Sequence, residues 1–212
     1  MSIKNTFKQT SLGLIPNDWE VKKLGKITKT TAGGTPSTHK IEYWGGNIKW
    51  MSSGDLNLKK IFDVEGRISE IGLKNSSTKI IPPKCILIGL AGQGKTRGQI
   101  TELMIDSATN QACAAISIYL KDKALNQFIK KYFQKIYLEI RELASGGAQP
   151  NLNMQKVKDT MIALPPLEEQ KEIVATIEKL FTLCNELESE INQNKTTVDN
   201  LMVTVLKESF EN

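Results

Sequence analysis

The last part of the chain has one regular apolar pattern. Apolar residues recur in alternating steps of four and three, which is the spacing of a coiled-coil seam. The seam positions are Ile173, Ile177, Leu180, Cys184, Leu187, Ile191, Asn194, Val198, Leu201 and Val205. No glycine or proline follows Pro166, so the pattern predicts one helix of roughly 40 residues, about 60 Å long, that needs a partner helix to bury its seam.

Asn194 is the polar exception in this seam. A single polar residue at a seam position can fix the register or orientation of a helix pair at some cost in stability. Thr196 and Thr197 follow it, and they are weaker helix formers. Asn194 therefore either specifies the pairing or marks a frayed segment.

The first 164 residues contain shorter apolar segments that indicate both strands and helices. An apolar and aromatic stripe at helical spacing predicts a helix over 125–143, which we interpret as core packing. Lys130, Lys131, Lys135 and Arg141 lie off this stripe, and we interpret them as a solvated face, with contact of the lysines to a DNA backbone as the alternative. A short helix is predicted over 154–159, capped by Asn153. Strands are predicted over 48–51, 80–88, 103–105, 110–118 and 161–164. We therefore predict an α+β fold, with a globular α/β domain over 1–164 and a long coiled-coil-forming helix over 165–212.

Two loops of this domain combine glycines with hydroxyl side chains. Gly34 and Thr35 lie in the segment 32–38, and Ser52 and Ser53 directly follow the strand 48–51. Backbone amides and hydroxyls in such loops can reach phosphates, and the end of a strand is a usual place for binding residues. Ordinary surface loops are the alternative interpretation.

The segment 89–96 matches the phosphate-binding pattern GxxxxGK[ST]. A P-loop must be followed at once by a helix, yet β-prone residues and Gly98 follow Thr96. The segment from Thr96 to Leu103 is also too short for the crossover that connects two parallel strands. We therefore predict a hairpin whose tip can hydrogen-bond base edges or phosphates. The candidate DNA-binding residues at this tip are Gln93, Lys95, Thr96 and Arg97. A P-loop nucleotide-binding protein remains the alternative.

The charge is divided between the two parts of the chain. Residues 1–165 have a net charge of +11 and residues 166–212 a net charge of −6, which together give the overall +5. A basic domain is typical of a nucleic-acid binder, although a solvated basic surface has the same composition. A coiled-coil adaptor without DNA binding is a further alternative.

The sequence has few residues that suit catalysis or metal binding. His39 is the only histidine, and the three cysteines Cys85, Cys113 and Cys184 lack the CxxC spacing of a metal site. We predict no catalytic residues and no metal site. The polar start of the chain and the lack of a long apolar run predict a cytoplasmic protein without a membrane span.

Several short motifs together resemble one protein family, the specificity (S) subunits of type I restriction-modification systems. Their order and spacing along the chain make the resemblance specific. The motifs are Ile15-Pro16-Asn17-Asp18-Trp19-Glu20-Val21, Gly33-Gly34-Thr35-Pro36, Trp50-Met51-Ser52-Ser53-Gly54-Asp55-Leu56, Ser145-Gly146-Gly147-Ala148-Gln149-Pro150-Asn151-Leu152 and Leu164-Pro165-Pro166-Leu167-Glu168-Glu169-Gln170.

The resemblance implies a target recognition domain that reads one half of a split double-stranded DNA site. It further implies a spacer helix that docks the methyltransferase (modification) subunits, in a complex with a restriction subunit. The chain itself would be non-catalytic and without a cofactor, because S-adenosylmethionine and ATP with magnesium would act on the partner subunits.

This chain departs from the family in size, since a usual member has two recognition domains and two antiparallel helices. The missing helix is expected to come from a second copy of the chain, and a twofold homodimer would read a palindromic split site. A helix of about 60 Å would hold two reading domains on the order of one to two DNA turns apart, at about 34 Å per turn. Pairing with a different half-length subunit, or a shortened gene product, are the alternatives.

Overall fold

The computed structural model describes residues 6–57, 60–91, 96–118, 123–145 and 152–210. The described strands are β1 (Phe7–Thr10), β2 (Gly13–Pro16), β3 (Glu20–Lys23), β4 (Thr28–Ala32), β5 (Trp44–Met51), β6 (Lys60–Ile61), β7 (Arg67–Ile68), β8 (Ile86–Gly89), β9 (Ile100–Leu103), β10 (Ala108–Thr109), β11 (Cys113–Ile118) and β12 (Met161–Leu164). The described α-helices are α1 (Leu24–Ile27), α2 (Glu70–Lys74), α3 (Lys123–Ser145), α4 (Met154–Asp159) and α5 (Leu167–Phe210). Two 3₁₀ turns span Ile41–Tyr43 and Ser53–Asn57.

The largest sheet has five strands in the order β4-β11-β8-β9-β6. β11 runs antiparallel to both β4 and β8, and β9 runs antiparallel to β8. The pairing of β8 with β9 confirms the predicted hairpin, although β9 begins at Ile100, three residues earlier than the predicted strand. Because the described residues after Thr96 lead into β9 rather than into a helix, the match to GxxxxGK[ST] lacks the helix that a P-loop requires.

Three smaller sheets complete the framework of the first unit. β5 pairs with β7 and β10, with β10 parallel to it. β12 pairs with β3, and β1 pairs with β2. The sequence did not indicate β6, β7 or β10, because each has two residues and depends on a distant partner strand rather than on a local pattern.

Alternate residues of the central strands face two sides of the sheet, as the pleat of a strand requires. One side packs into a buried cluster that includes Leu87 and Ala115 from β8 and β11, together with Met51, Leu56 and Ile61. The other side faces α3, whose buried apolar residues, where burial is described, are Leu125, Phe128, Ile129 and Phe133. This burial confirms core packing for these members of the predicted stripe.

Lys130 corrects part of that prediction, because it does not lie on a solvated face. Only 11% of its side chain is exposed, and its Nζ lies 3.0 Å from Oε2 of Glu102 on β9. Gln127 donates a second hydrogen bond, of 3.2 Å, to Oε1 of the same carboxylate. The side chain of Lys130 is therefore buried between α3 and the sheet, because Glu102 provides a buried counter-charge.

The start of α5 belongs to the first of two compact units, Met1–Gln170, and the remaining helix forms the second, Lys171–Asn212. Asn153 caps α4 by accepting a hydrogen bond from the Lys156 amide, as predicted. α5 has 44 residues and therefore measures about 66 Å. Together these elements confirm the α+β fold class with a long C-terminal helix.

Candidate DNA-reading edge and helix seam

The loops that follow β4, β5 and β8 lie at one edge of the first unit. The antiparallel pairings place the C-terminal ends of β4 and β8 beside the N-terminal ends of β9 and β11. β5 reaches the same edge because its last residue, Met51, pairs with Thr109 at the end of β10. We call residues 33–37, 52–57, 89–91, 96–99 and 109–112 the loop edge.

The turn between β10 and β11 forms a backbone hydrogen bond at the start of each of the three loops. Its Thr109 carbonyl accepts a 2.7 Å hydrogen bond from the Gly34 amide, and its Asn110 amide donates 2.9 Å to the Met51 carbonyl. The Ala112 carbonyl accepts a 2.7 Å hydrogen bond from the Leu90 amide. Backbone hydrogen bonds therefore hold the loops in one arrangement.

The loop 33–37 lies against this turn at very close range. A Cβ atom on Gly33 would overlap the Asn110 carbonyl, and one on Gly34 would overlap the Ser77 hydroxyl. Glycine is required at both positions because only a residue without a side chain allows this approach. The packing buries Gly34 but leaves the adjacent Thr35 exposed.

Two tryptophans from β5 form further hydrogen bonds to the same loop. The indole Nε1 of Trp50 donates a 3.1 Å hydrogen bond to the Gly34 carbonyl, and that of Trp44 donates one of 3.1 Å to the Ser37 carbonyl. Their rings meet edge to face, with centroids 5.1 Å apart. Each indole thus orients one carbonyl of the loop while its ring packs against its neighbour.

The Ser52 side chain is used within its own loop. Its amide and hydroxyl donate to Oδ2 of Asp55, at 2.8 and 3.1 Å, and its oxygen accepts from the Gly54 amide. This network stabilises the 3₁₀ turn that contains Ser53. Both serines are half-buried on the loop edge, where the Ser52 hydroxyl already has its partners.

The hairpin tip is described at Thr96 and Arg97, whereas Gln93 and Lys95 lie outside the described residues. Gly98 turns the chain with a φ of 71°, and its amide donates 2.8 Å to the Gly89 carbonyl. Nε of Arg97 is buried and has no hydrogen-bond partner within the described part of the chain. Thr96 and Arg97 thus lie on the loop edge with Gly34, Thr35, Ser52 and Ser53.

The sequence interpretation missed Gln111, which is exposed on the same edge. Its side-chain Oε1 accepts a 2.5 Å hydrogen bond from the Thr35 hydroxyl, 76 residues away. A signal was present in the polar pair Asn110-Gln111, which is separated from the buried strand β11 only by Ala112. The predicted strand 110–118 includes both residues, whereas β11 begins at Cys113.

The chemistry of the loop edge suits hydrogen bonding rather than nucleophilic attack. Cys113 begins β11 directly after the loop edge, and burial raises the pKa of its thiol to about 12. The negative charge of Asp55 adds to this shift, so the thiol stays neutral near pH 7. Among the described residues, no group of three or more His, Cys, Asp and Glu side chains is placed to hold a metal ion.

None of the described helices is long and apolar enough to cross a membrane.

The start of α5 brings together two motifs that are far apart in sequence. Nε1 of Trp19 donates a 2.9 Å hydrogen bond to Oε2 of Glu169. Gln170 is buried, and its Nε2 donates 2.8 Å to the Pro165 carbonyl. These contacts anchor the first turn of the helix within the first unit.

Most of the predicted seam on α5 is exposed to water. Ile173 and Ile177 are half-buried, whereas every residue from 178 to 210 is exposed. The large seam side chains are between half and two thirds exposed, for example 58% for Leu187 and 65% for Ile191. Cys184 and Asn194 are exposed as well, so all the seam residues after Ile177 are open to a partner.

Comparison with known proteins identifies related sequences. Residues 16–194 match the family described as type I restriction modification DNA specificity domain. The type I restriction enzyme MjaIX specificity subunit of Methanocaldococcus jannaschii is 30% identical over 97% of this chain and 46% of its own length. The HindI specificity subunit of Haemophilus influenzae is 28% identical over 83% of this chain and 39% of its own length. The chain thus spans about half the length of these curated relatives.

Solved structures share the fold at low sequence identity. The HsdS subunit from Thermoanaerobacter tengcongensis superimposes with a TM-score of 0.62 at 15% identity, covering 86% of this chain and 42% of that one. A chain from a structure describing complex assembly and conformational transition of the type I R-M system gives a TM-score of 0.71 at 20% identity, over 96% of this chain and 48% of that chain.

Proposed function

Because the chain belongs to the family of type I restriction-modification DNA specificity domains, we propose that it is the DNA-recognition subunit of such a complex. In this proposal the loop edge reads one half of a split double-stranded DNA site. The net charge of +11 on residues 1–165 supports contact with a phosphate backbone. The loop edge adds glycines, hydroxyls and an amide that can approach bases.

The exposed seam of α5 is the observation that supports a paired form of the protein. A chain that spans 46% of a relative has one recognition unit and one long helix with no partner helix among its described residues. A second copy supplies an identical seam, and an antiparallel pair would place two loop edges in twofold symmetry. The site read by such a homodimer would be a split palindrome.

Catalysis in this proposal belongs to partner subunits. The paired helices would dock methyltransferase subunits that use S-adenosylmethionine, and a restriction subunit that uses ATP with magnesium would complete the complex. The chain itself would serve as a non-catalytic reader. Nucleotide binding by the chain is not favoured, because β9 begins at Ile100 where a P-loop requires a helix.

The proposal is tested by co-expressing the chain with its methyltransferase subunit and mapping methylated bases across the host genome. We expect modification at a two-part palindrome with a fixed spacer. A two-part site with unrelated halves would indicate that the chain pairs with a different half-length subunit and does not form the homodimer. The absence of sequence-specific modification would refute the recognition function, and so would DNA binding that does not weaken as salt rises.

A further inference from the structure

Gln111 stands out on the loop edge because its side chain is both exposed and oriented. It lies on the turn between β10 and β11, and its Oε1 accepts the 2.5 Å hydrogen bond from Thr35. Both residues are exposed, so this bond does not satisfy groups that are buried in the core. An exposed hydrogen bond adds little net stability, because water offers the same groups an alternative partner.

The turn beneath Gln111 is held by backbone groups on both sides of it. The Asn110 amide donates to the Met51 carbonyl, and the Ala112 carbonyl accepts from the Leu90 amide. Within the turn, Oδ1 of Asn110 accepts a 3.1 Å hydrogen bond from the Ala112 amide, and its carbonyl accepts one of 3.2 Å from the Cys113 amide. Gln111 is therefore displayed on a framework that is ordered before any ligand arrives, which lowers the entropy lost on binding.

Thr35 is fixed as firmly as the residue that it orients. The carbonyls of Gly34 and Ser37, on either side of it, accept the hydrogen bonds from Trp50 and Trp44. The Gly34 amide donates to the Thr109 carbonyl, which belongs to the same turn as Gln111. The hydroxyl of Thr35 thus reaches Gln111 from a loop whose backbone is hydrogen-bonded both before and after Thr35.

The hydrogen bond from Thr35 leaves the other hydrogen-bonding positions of the Gln111 side-chain amide available to a ligand. Oε1 keeps one lone pair, and Nε2 keeps two hydrogens for which the described residues provide no acceptor. Adenine presents the complementary pattern in the major groove, with N7 as acceptor and the N6 amino group as donor, and a glutamine amide can bond to both. We infer that Gln111, oriented by Thr35, reads an adenine in the half-site.

This inference rests on the proposed DNA-recognition function and names one of its base contacts. The competing explanation is that the Thr35–Gln111 bond only clips the loop 33–37 to the turn. The two explanations differ in what is lost when the amide is removed. A base reader loses discrimination at one base pair, whereas a clip loses thermal stability and affinity for every sequence alike.

The experiment uses the chain co-expressed with its methyltransferase subunit. First, the methylated sequence is mapped for the wild-type chain and for Gln111→Ala, Thr35→Val and the control Gln134→Ala, which removes an exposed amide from α3. Second, the purified complexes are titrated onto duplexes that contain the mapped site, or that site with one A·T pair at a time replaced by G·C. Thermal melting of each variant complex is recorded in parallel.

We expect Gln111→Ala to make one A·T position in each half-site degenerate while the rest of the sequence is retained. Its affinity for the wild-type duplex should fall about 5- to 150-fold, the range of one bidentate base contact, and should not fall further on the duplex changed at that pair. Thr35→Val should give a smaller loss at the same pair, because the amide remains but is less well oriented. Gln134→Ala should match the wild type.

Three results would overturn the inference while leaving the proposed function in place. They are an unchanged methylated sequence and affinity in Gln111→Ala, a degenerate position that is G·C, and an equal loss on all duplexes together with a lower melting temperature. A wild-type complex that modifies no defined sequence would instead overturn the proposed function, and the inference with it.

Discussion

Truncation of Leu187 tests whether the exposed seam of α5 forms an interface. Leu187 lies near the middle of the seam, and 58% of it is exposed in the single chain. In a helix pair it would pack into the partner as a seam residue. Leu187→Ala removes most of that apolar surface and keeps a residue of high helix propensity, so the helix itself should be unaffected.

The expected magnitude follows from this exposed fraction. Full burial of a leucine side chain stabilises by about 1.5–3 kcal/mol, so removing 58% of it from water is worth about 0.9–1.7 kcal/mol. A homodimer contains the substitution twice, which raises the loss to about 2–3.5 kcal/mol of association free energy. This corresponds to a dissociation constant roughly 20- to 300-fold higher than that of the wild type.

Sedimentation equilibrium over a range of concentrations measures this constant directly. Asn185→Ala is the matched control, since it changes an exposed residue two positions away that lies outside the seam. Cys184 gives an independent readout, because its exposed thiol at a seam position should become protected from a thiol reagent as dimer forms. A wild-type chain that stays monomeric at micromolar concentration, or equal constants for Leu187→Ala and the control, would refute the reasoning.

Two further predictions concern the seam and the core. Asn194→Leu should give a more stable helix pair with altered orientation or stoichiometry in light scattering, because it removes the polar residue from the seam; an unchanged pair would favour the frayed-segment interpretation. Glu102→Ala should lower the free energy of unfolding in urea by about 3–5 kcal/mol, because Lys130 would keep a buried charge without its partner. Replacing the pair together, as Glu102→Leu with Lys130→Met, should recover most of that loss, and a single variant as stable as the wild type would show that the ion pair contributes nothing.

Local patterns account for the parts of the fold that the sequence predicted. The apolar period of α5 recurs from Ile173 to Val205 with Asn194 as its polar exception, so successive seam residues support the same interpretation. The start of α4 followed from the Asn153 cap, and glycines with β-prone residues after Thr96 identified the β8–β9 hairpin. Each of these signals lies within a few residues of the element that it defines.

The loop edge could be predicted only in part because its contacts are not local. Thr35 and Gln111 are 76 residues apart, and nothing in either segment indicates the other. Ser52 was recognised from its place after a strand, but its use by Asp55 depends on the geometry of the turn. The counter-charge for Lys130 likewise comes from Glu102, 28 residues earlier on another element.

The loop edge consists of a hydrogen-bonded backbone frame and of exposed side chains on which that frame does not depend. The turn between β10 and β11 is fixed mainly through backbone amides and carbonyls, which do not depend on the side chains at Thr35 or Gln111. Gly33 and Gly34 belong to the frame, because any side chain there would overlap the neighbouring backbone or hydroxyl. Exchanging the exposed pair should therefore change which base is preferred at small cost in stability, whereas a change at Gly33 or Gly34 should disturb the fold before it alters recognition.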